Sequence, residues 1–401
     1  MTPARFLDRT TPPHIATLIL IAGLAALSLN IFLPSLPAMA AHFGVDYGLM
    51  QLSVSAYLGM TALLQLVIGP ISDRFGRRPV LLAAIVIFLS ATIGAILAPN
   101  FTVFLICRMT QAVIASGFVL GRAVVRDIVP ANQAASMIGY VTMGMSVVPM
   151  VGPLLGGMLD DAFGWQASFW VLAAGGAVML AMVWADQGET ATHRSASFAA
   201  QVRAYPALLT SQRFWGYCLA AATASGAFFA FLGGAPYVGT TFFSMNAATL
   251  GFYFAAPAIG YMTGNFLSGR YATRIGVNRM ALAGAVVTTL GLALLAVLTT
   301  LGLAGPNVFF GLVISVGLGN GIMLPSANAG MLSVHPELAG SAAGLGGAFT
   351  IGGGAALAML ASAVLTPTSG PLPLVLIMLA SSAASILCVL WVIRRAKAVG
   401  A

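Results

Sequence analysis

Charge is what this sequence has least of. Asp, Glu, Lys and Arg make up 6% of its 401 residues, against roughly 25% in a soluble globular chain. Nine acids and seventeen bases cannot coat water-soluble domains of this length. The same scarcity excludes disorder, which needs high charge and low hydrophobicity. Cysteine is equally sparse: Cys107, Cys218 and Cys388 stand in apolar runs without pairing or metal spacing, and read as small buried hydrophobes. No G-x-x-x-x-G-K-[ST] pattern occurs, so ATP-driven chemistry within the chain is not expected. What is abundant is apolar: 59% of the residues are hydrophobic and the mean hydropathy is +0.98. Lipid must solvate most of the surface.

A membrane helix needs about 20 mostly apolar residues. Broken at its polar and Pro/Gly punctuation, the chain offers twelve such spans, near 15–38, 49–71, 79–98, 102–124, 134–158, 166–185, 214–238, 249–271, 279–302, 307–331, 340–365 and 371–393. The apolar run from Ile15 to Leu33 exceeds the roughly 7–15 residues of a signal h-region, so the first span reads as an uncleaved helix. The expected fold is an all-α membrane protein with six spans on either side of one long connection. Residues 1–185 would form an N-terminal half, 186–213 a cytoplasmic linker and 214–401 a C-terminal half.

The bases fix the orientation. With the N-terminus in the cytoplasm, fifteen of the seventeen fall in cytoplasmic segments and none in the opposite loops. That is a positive-inside pattern. The net charge of +8 therefore reports topology, and no nucleic-acid partner is expected. Both termini would lie in the cytoplasm.

The halves echo one another. Gly69-x-x-x-Asp73-Arg74-x-Gly76 leaves span 2, and Gly269-x-x-x-Thr273-Arg274-x-Gly276 leaves span 8, an offset of 200. Phe32-Leu33-x-x-x-Pro37 in span 1 recurs as Phe231-Leu232-x-x-x-Pro236 in span 7, an offset of 199. Parallel repeats of this size suit a transporter with its substrate site between the halves.

Gly69-Pro70-Ile71-Ser72-Asp73-Arg74-Phe75-Gly76-Arg77-Arg78 resembles motif A of the major facilitator superfamily. Arg108-x-x-Gln111 resembles motif B, and Pro149-x-x-Gly152-Pro153-x-x-Gly156-Gly157 resembles motif C, associated with antiporters. Leu33-Pro34-x-Leu36-Pro37 and Arg122-Ala123-Val124-Val125-Arg126-Asp127 are similar to the bicyclomycin/chloramphenicol-resistance (Bcr/CflA) drug efflux family. The resemblance spans the chain. It implies that Asp73 latches onto the start of span 11, near Gly340-Ser341, with Arg77 as a further partner. It also implies that motif C seals a helix pair.

The residues allow this reading on their own chemistry. Gly69 removes a side chain where a second helix can approach, and an acid such as Asp73 can cap a neighbouring helix N-terminus. Arg74 and Arg77 equally serve topology. Gly152, Pro153, Gly156 and Gly157 give span 5 a bent, side-chain-poor face. A charge at the bilayer centre costs at least about 2.5–3.5 kcal/mol and is read as functional. Arg108, with Gln111 one turn away, is the strongest such candidate. Arg122, near Arg126 and Asp127 at the cytoplasmic end of span 4, suits snorkelling and function alike.

Every acid and every histidine lies in a loop or at a helix end. An intramembrane enzyme needs an acid, base, nucleophile or metal cluster at its substrate, so no enzyme, cofactor or metal is expected. Drug–proton antiporters resembling this chain place an acid in span 1 where Asn30 stands, and Asn does not titrate. Either coupling runs through a peripheral acid such as Asp73 or Asp127, or the family's usual mechanism is absent. Tyr57, Gln65, Tyr261, Asn265, Asn320 and Asn328 complete the candidate cavity with Asn30, Arg108 and Gln111; each suits an interhelical hydrogen bond as well. The expected protein is a monomeric secondary transporter of the bacterial inner membrane, exporting drugs or other small molecules in the manner of a proton antiporter. An organic anion or metabolite carrier is the alternative, since an unpaired arginine favours anions.

Overall fold

A computed structural model describes residues 5–128, 141, 148–191, 206–335, 339–366 and 368–398; the side chains of Pro70, Asp73, Arg126, Pro149, Met150, Thr273, Ala339, Gly340, Ser341, Ala343, Lys397 and Ala398 also lie outside the description. Among the described residues the regular structure is entirely helical.

The first span is α1 (Ile15–Asn30), a 3-10 turn at Leu33–Ser35 and α2 (Leu36–Phe43). Pro34 and Pro37 stand in the first turns of the latter two, where a missing N–H breaks no hydrogen bond. Span 2 is α3 (Tyr47–Met50) followed by α4 (Leu52–Phe75), and span 3 is α5 (Arg77–Ile96). Span 4 is α6 (Phe101–Gln111), a 3-10 segment at Ala112–Ala115 and α7 (Ser116–Ile128). Of span 5 the described part is α8 (Val148–Phe163), and span 6 is α9 (Gln166–Asp186).

The second set begins with α10 (Gln212–Tyr237), which ends in a π turn at Val238–Phe242 just past Pro236. Then follow α11 (Ala247–Tyr253), α12 (Ala255–Ile275), α13 (Val277–Thr300), α14 (Pro306–Ser333), α15 (Ala339–Val364) and α16 (Leu372–Ala398). Among the described residues ten stretches are long and apolar enough to cross a membrane. The other two are span 5, whose first half lies outside the described residues, and span 8, diluted by Tyr261, Asn265 and Arg270.

The repeat read from the sequence has a backbone counterpart. Gly76 (φ +100, ψ 152) and Gly276 (φ +91, ψ 148) each stop one helix and start the next. Each donates its N–H at 2.9 Å to the carbonyl four residues back, Ser72 and Ala272. That left-handed φ favours glycine, which accounts for the motif's last residue in both copies.

Large apolar side chains such as Leu63, Trp170, Phe266, Leu290 and Leu387 point outward, as a lipid-facing surface requires. At the outer end, Trp165 packs between Phe43, Phe104 and Phe169 at ring separations of 5.6–5.8 Å.

Candidate functional site

Arg108 ends α6 as a fully buried side chain. Its Nη1 donates to Gln111 Oε1 (2.9 Å) and Ser28 Oγ (3.2 Å), and its Nη2 to the Ser28 carbonyl (2.7 Å). Gln111 Nε2 in turn donates to Thr92 Oγ1 at 2.7 Å. The guanidinium lies 3.9 Å from the centre of the Tyr57 ring and 4.4 Å from that of Phe32. Two aromatic faces and three uncharged acceptors thus offset the desolvation of a cation inside the bundle. The 3-10 segment follows directly after Gln111, where the helix changes pitch. The first-span partner of Arg108 in these bonds is Ser28, while Asn30 Nδ2 donates within its own helix to the Ala26 carbonyl at 2.7 Å.

A cavity of about 280 Å3 opens between helices from both ends of the chain. Of the nine expected cavity residues, Asn30, Tyr57, Tyr261 and Asn320 line it. Arg108 and Gln111 are not among the lining residues, and Arg108 lies against the Tyr57 ring that is. Gln65 sits lower on α4 and faces Gly347 of α15. Asn265 donates to the Tyr261 carbonyl one turn back (2.9 Å), and Asn328 is exposed. The wall also holds Thr61, Ser225, Phe118, Phe228 and Phe229, which the sequence reading passed over. A signal was there: Thr61 follows Tyr57 by one turn, and Ser225 precedes Phe228 and Phe229 by one turn.

Tight glycine contacts join α8 to the first span and to α11. Ile31 fills the space a side chain on Gly156 would need, and Gly157 lies equally tight against the Ala247 carbonyl of α11. Gly251 meets the carbonyl of Pro153 in the same way. These glycines let α8 touch α1 on one side and α11 on the other. Gly152 is looser, with Leu27 Cδ1 3.2 Å from a Cβ placed there. Nearby, Tyr47 donates to the Gly233 carbonyl at 2.9 Å, tying α3 to α10.

Where α4 gives way to α5, Arg77 pairs with Asp127 of α7 (Nε to Oδ2, 3.2 Å) and donates to Ser72 Oγ. Glu189 was not anticipated: its carboxylate accepts from the backbone N–H groups of Arg77 (2.9 Å) and Arg78 (3.4 Å) at the start of α5. Thr190 Oγ1 donates to Asp127 as well (3.2 Å). Arg74 lies over Phe75 at 5.3 Å and Arg122 is exposed on α7. A Cβ at Gly69 would meet no described atom within 4 Å. The expected latch of Asp73 near Gly340-Ser341, and Arg126, involve side chains outside the described residues.

The model of the Major Facilitator Superfamily matches residues 18–359. The chain belongs to that superfamily. The transporter is 32% identical over 322 residues to a chloramphenicol resistance protein of Pseudomonas aeruginosa, covering 79% of this chain and 76% of that one. It is 25% identical over 376 residues to a bicyclomycin resistance protein homolog of Haemophilus influenzae, covering 91% and 92%. A third relative, an uncharacterized MFS-type transporter of Bacillus subtilis, is 30% identical over 285 residues, covering 68% and 71%. The likeness to the Bcr/CflA branch read from Leu33–Pro37 and Arg122–Asp127 agrees with the first two.

Proposed function

We propose that this chain exports small lipophilic molecules from the bacterial cytoplasm by alternating access. The observation that carries the reading is the central cavity, apolar over most of its wall, and motif C seals its outer side. Residues 1–185 and 214–401 act as the two rocking halves, with 186–213 joining them in the cytoplasm and both termini on that side. The relatives named for resistance to chloramphenicol and bicyclomycin support efflux of such compounds. The anion-carrier alternative rested on an arginine in the cavity, and Arg108 is not among the lining residues.

Asn30, Tyr57, Tyr261 and Asn320 hold the substrate, and Arg108 with Gln111 stiffens the helices behind them. Among the described residues no carboxylate lines the cavity. Exchange with protons then acts through cytoplasmic-end acids, Asp127 with its Arg77 partner and Asp73. A monomer is sufficient, since one chain supplies the whole cavity.

The test is chloramphenicol flux in liposomes under an imposed pH gradient. Wild type should drive uphill export, and Asp127→Asn should leave downhill counterflow but slow uphill export about tenfold or more. Gradient-independent flux in wild type would sink the coupling, and absence of any flux would sink the export reading.

A further inference from the structure

Among the described residues the wall of the central cavity carries no acid and no base, yet a guanidinium lies against one of its aromatic rings. Tyr57 lines the cavity and also lies against Arg108, its ring centre 3.9 Å from the guanidinium carbon. The acceptors of Arg108 are Ser28 and Gln111, both uncharged. Among the described residues no carboxylate pairs with it, and the sequence offers none within a span. An arginine is not deprotonated in proteins. In a medium of low polarity its field reaches well beyond contact distance.

The cavity therefore sits in a positive potential with nothing to cancel it. Its lining includes the hydroxyls of Thr61, Ser225 and Tyr261, which donate or accept, and two amide oxygens that only accept: Asn30 Oδ1 and Asn320 Oδ1 are without protein partners, and both side chains are more than nine-tenths buried. The bond from Asn30 Nδ2 to the Ala26 carbonyl fixes which end of that amide is free. A lipophilic cation meets repulsion here and no acid. An anion feels the field but finds no guanidinium among the lining residues. An uncharged molecule with N–H or O–H groups meets two free oxygens, and an unmet buried acceptor is costly to leave alone.

We infer that Arg108 acts through Tyr57 as a charge filter: the cavity turns away lipophilic cations and takes uncharged lipophilic molecules whose donors Asn30 and Asn320 accept. This rests on the reading of the cavity as the substrate site, and the test separates the two. Purified full-length chain in detergent is titrated by calorimetry with chloramphenicol, uncharged with hydroxyl and amide donors, and with tetraphenylphosphonium, a lipophilic cation without donors. Wild type should bind chloramphenicol at least about tenfold more tightly than the cation. Arg108→Gln should shrink that preference by about tenfold, Arg108→Lys should keep it, and Asn30→Asp at pH 8 should shrink it by supplying a carboxylate.

If Arg108→Gln does not fold, Asn30→Asp carries the test alone. Equal binding of both probes by wild type, or an unchanged preference in the variants that do fold, overturns the filter and leaves the cavity reading standing. No binding of either probe overturns both.

Discussion

The carbonyl of Ile31 in the first span occupies the place where a side chain of Gly156 would stand. The obstacle is backbone, so it cannot rotate away, and Gly156→Ala has to push α8 off the first span. Overpacking of this kind costs roughly 1–3 kcal/mol. At Gly152 the nearest atom to an added Cβ is a Leu27 methyl at 3.2 Å, which can turn aside. Gly156→Ala should therefore lower the thermal midpoint in detergent by several degrees and open the outer seal to a membrane-impermeant thiol reagent directed at an introduced cavity cysteine. Gly152→Ala should do far less on both counts.

Gly76 makes two demands at once. Its φ of +100 disfavours any side chain, and the Glu189 carboxylate fills the space a Cβ would take. Gly76→Ala should cost about 1–2 kcal/mol from the backbone alone, plus the displaced contact of Glu189 with the first N–H groups of α5. A double-mutant cycle with Glu189→Ala separates the two. The cost of Gly76→Ala should be smaller in the Glu189→Ala background; equal costs in both would show that the carboxylate contributes nothing.

Most of the fold was legible because the signal is strong: runs of about 20 apolar residues and one-sided arginines leave little freedom. The repeated glycine turn was legible for the same reason, since Gly76 and Gly276 serve a local backbone need. The cavity was legible in part. Asn30, Tyr57, Tyr261 and Asn320 stand out as polar or aromatic residues in apolar helices, whereas Thr61 and Ser225 look like any helix-tolerated hydroxyl. Arg108 was visible, but periodicity could not tell that it would lie against Tyr57 and outside the lining. Glu189 and Asp186 were hidden because their partners lie at separations of 111 to 179 residues.

Asp160, at the outer end of α8, predicts a pH dependence. Burial holds its carboxyl above the usual value of 3.8; the Ser35 hydroxyl opposes this, and neighbouring Asp161 adds to it. An acid with a raised folded pKa keeps more protons in the folded state, so stability falls as pH rises from 3.8 through the raised value. Asp160→Asn should remove that part of the slope and raise the thermal midpoint at pH 7.5. Midpoints measured from pH 4 to pH 8 check this, and an unchanged slope would contradict it.

Asp186 ties the end of the sixth span to the start of the first. It is fully buried at the end of α9, and its carboxylate accepts from Leu7 N–H (2.7 Å), His14 N–H (2.9 Å) and Thr17 Oγ1 (2.6 Å). The chain before α1 is thereby stapled to the end of the sixth span. Hydrogen bonds to a charged group contribute about 1.5–3 kcal/mol each, and stranded donors add their own cost. Asp186→Ala should therefore be the most destabilising single change at this end, by roughly 3 kcal/mol or more. Asp186→Asn keeps one acceptor oxygen and should cost clearly less. Hydrogen exchange gives a local readout: the amides of Leu7 and His14 should lose protection in Asp186→Ala while those of α5 keep theirs. Retained protection at both amides would show that the segment is held by something other than this carboxylate.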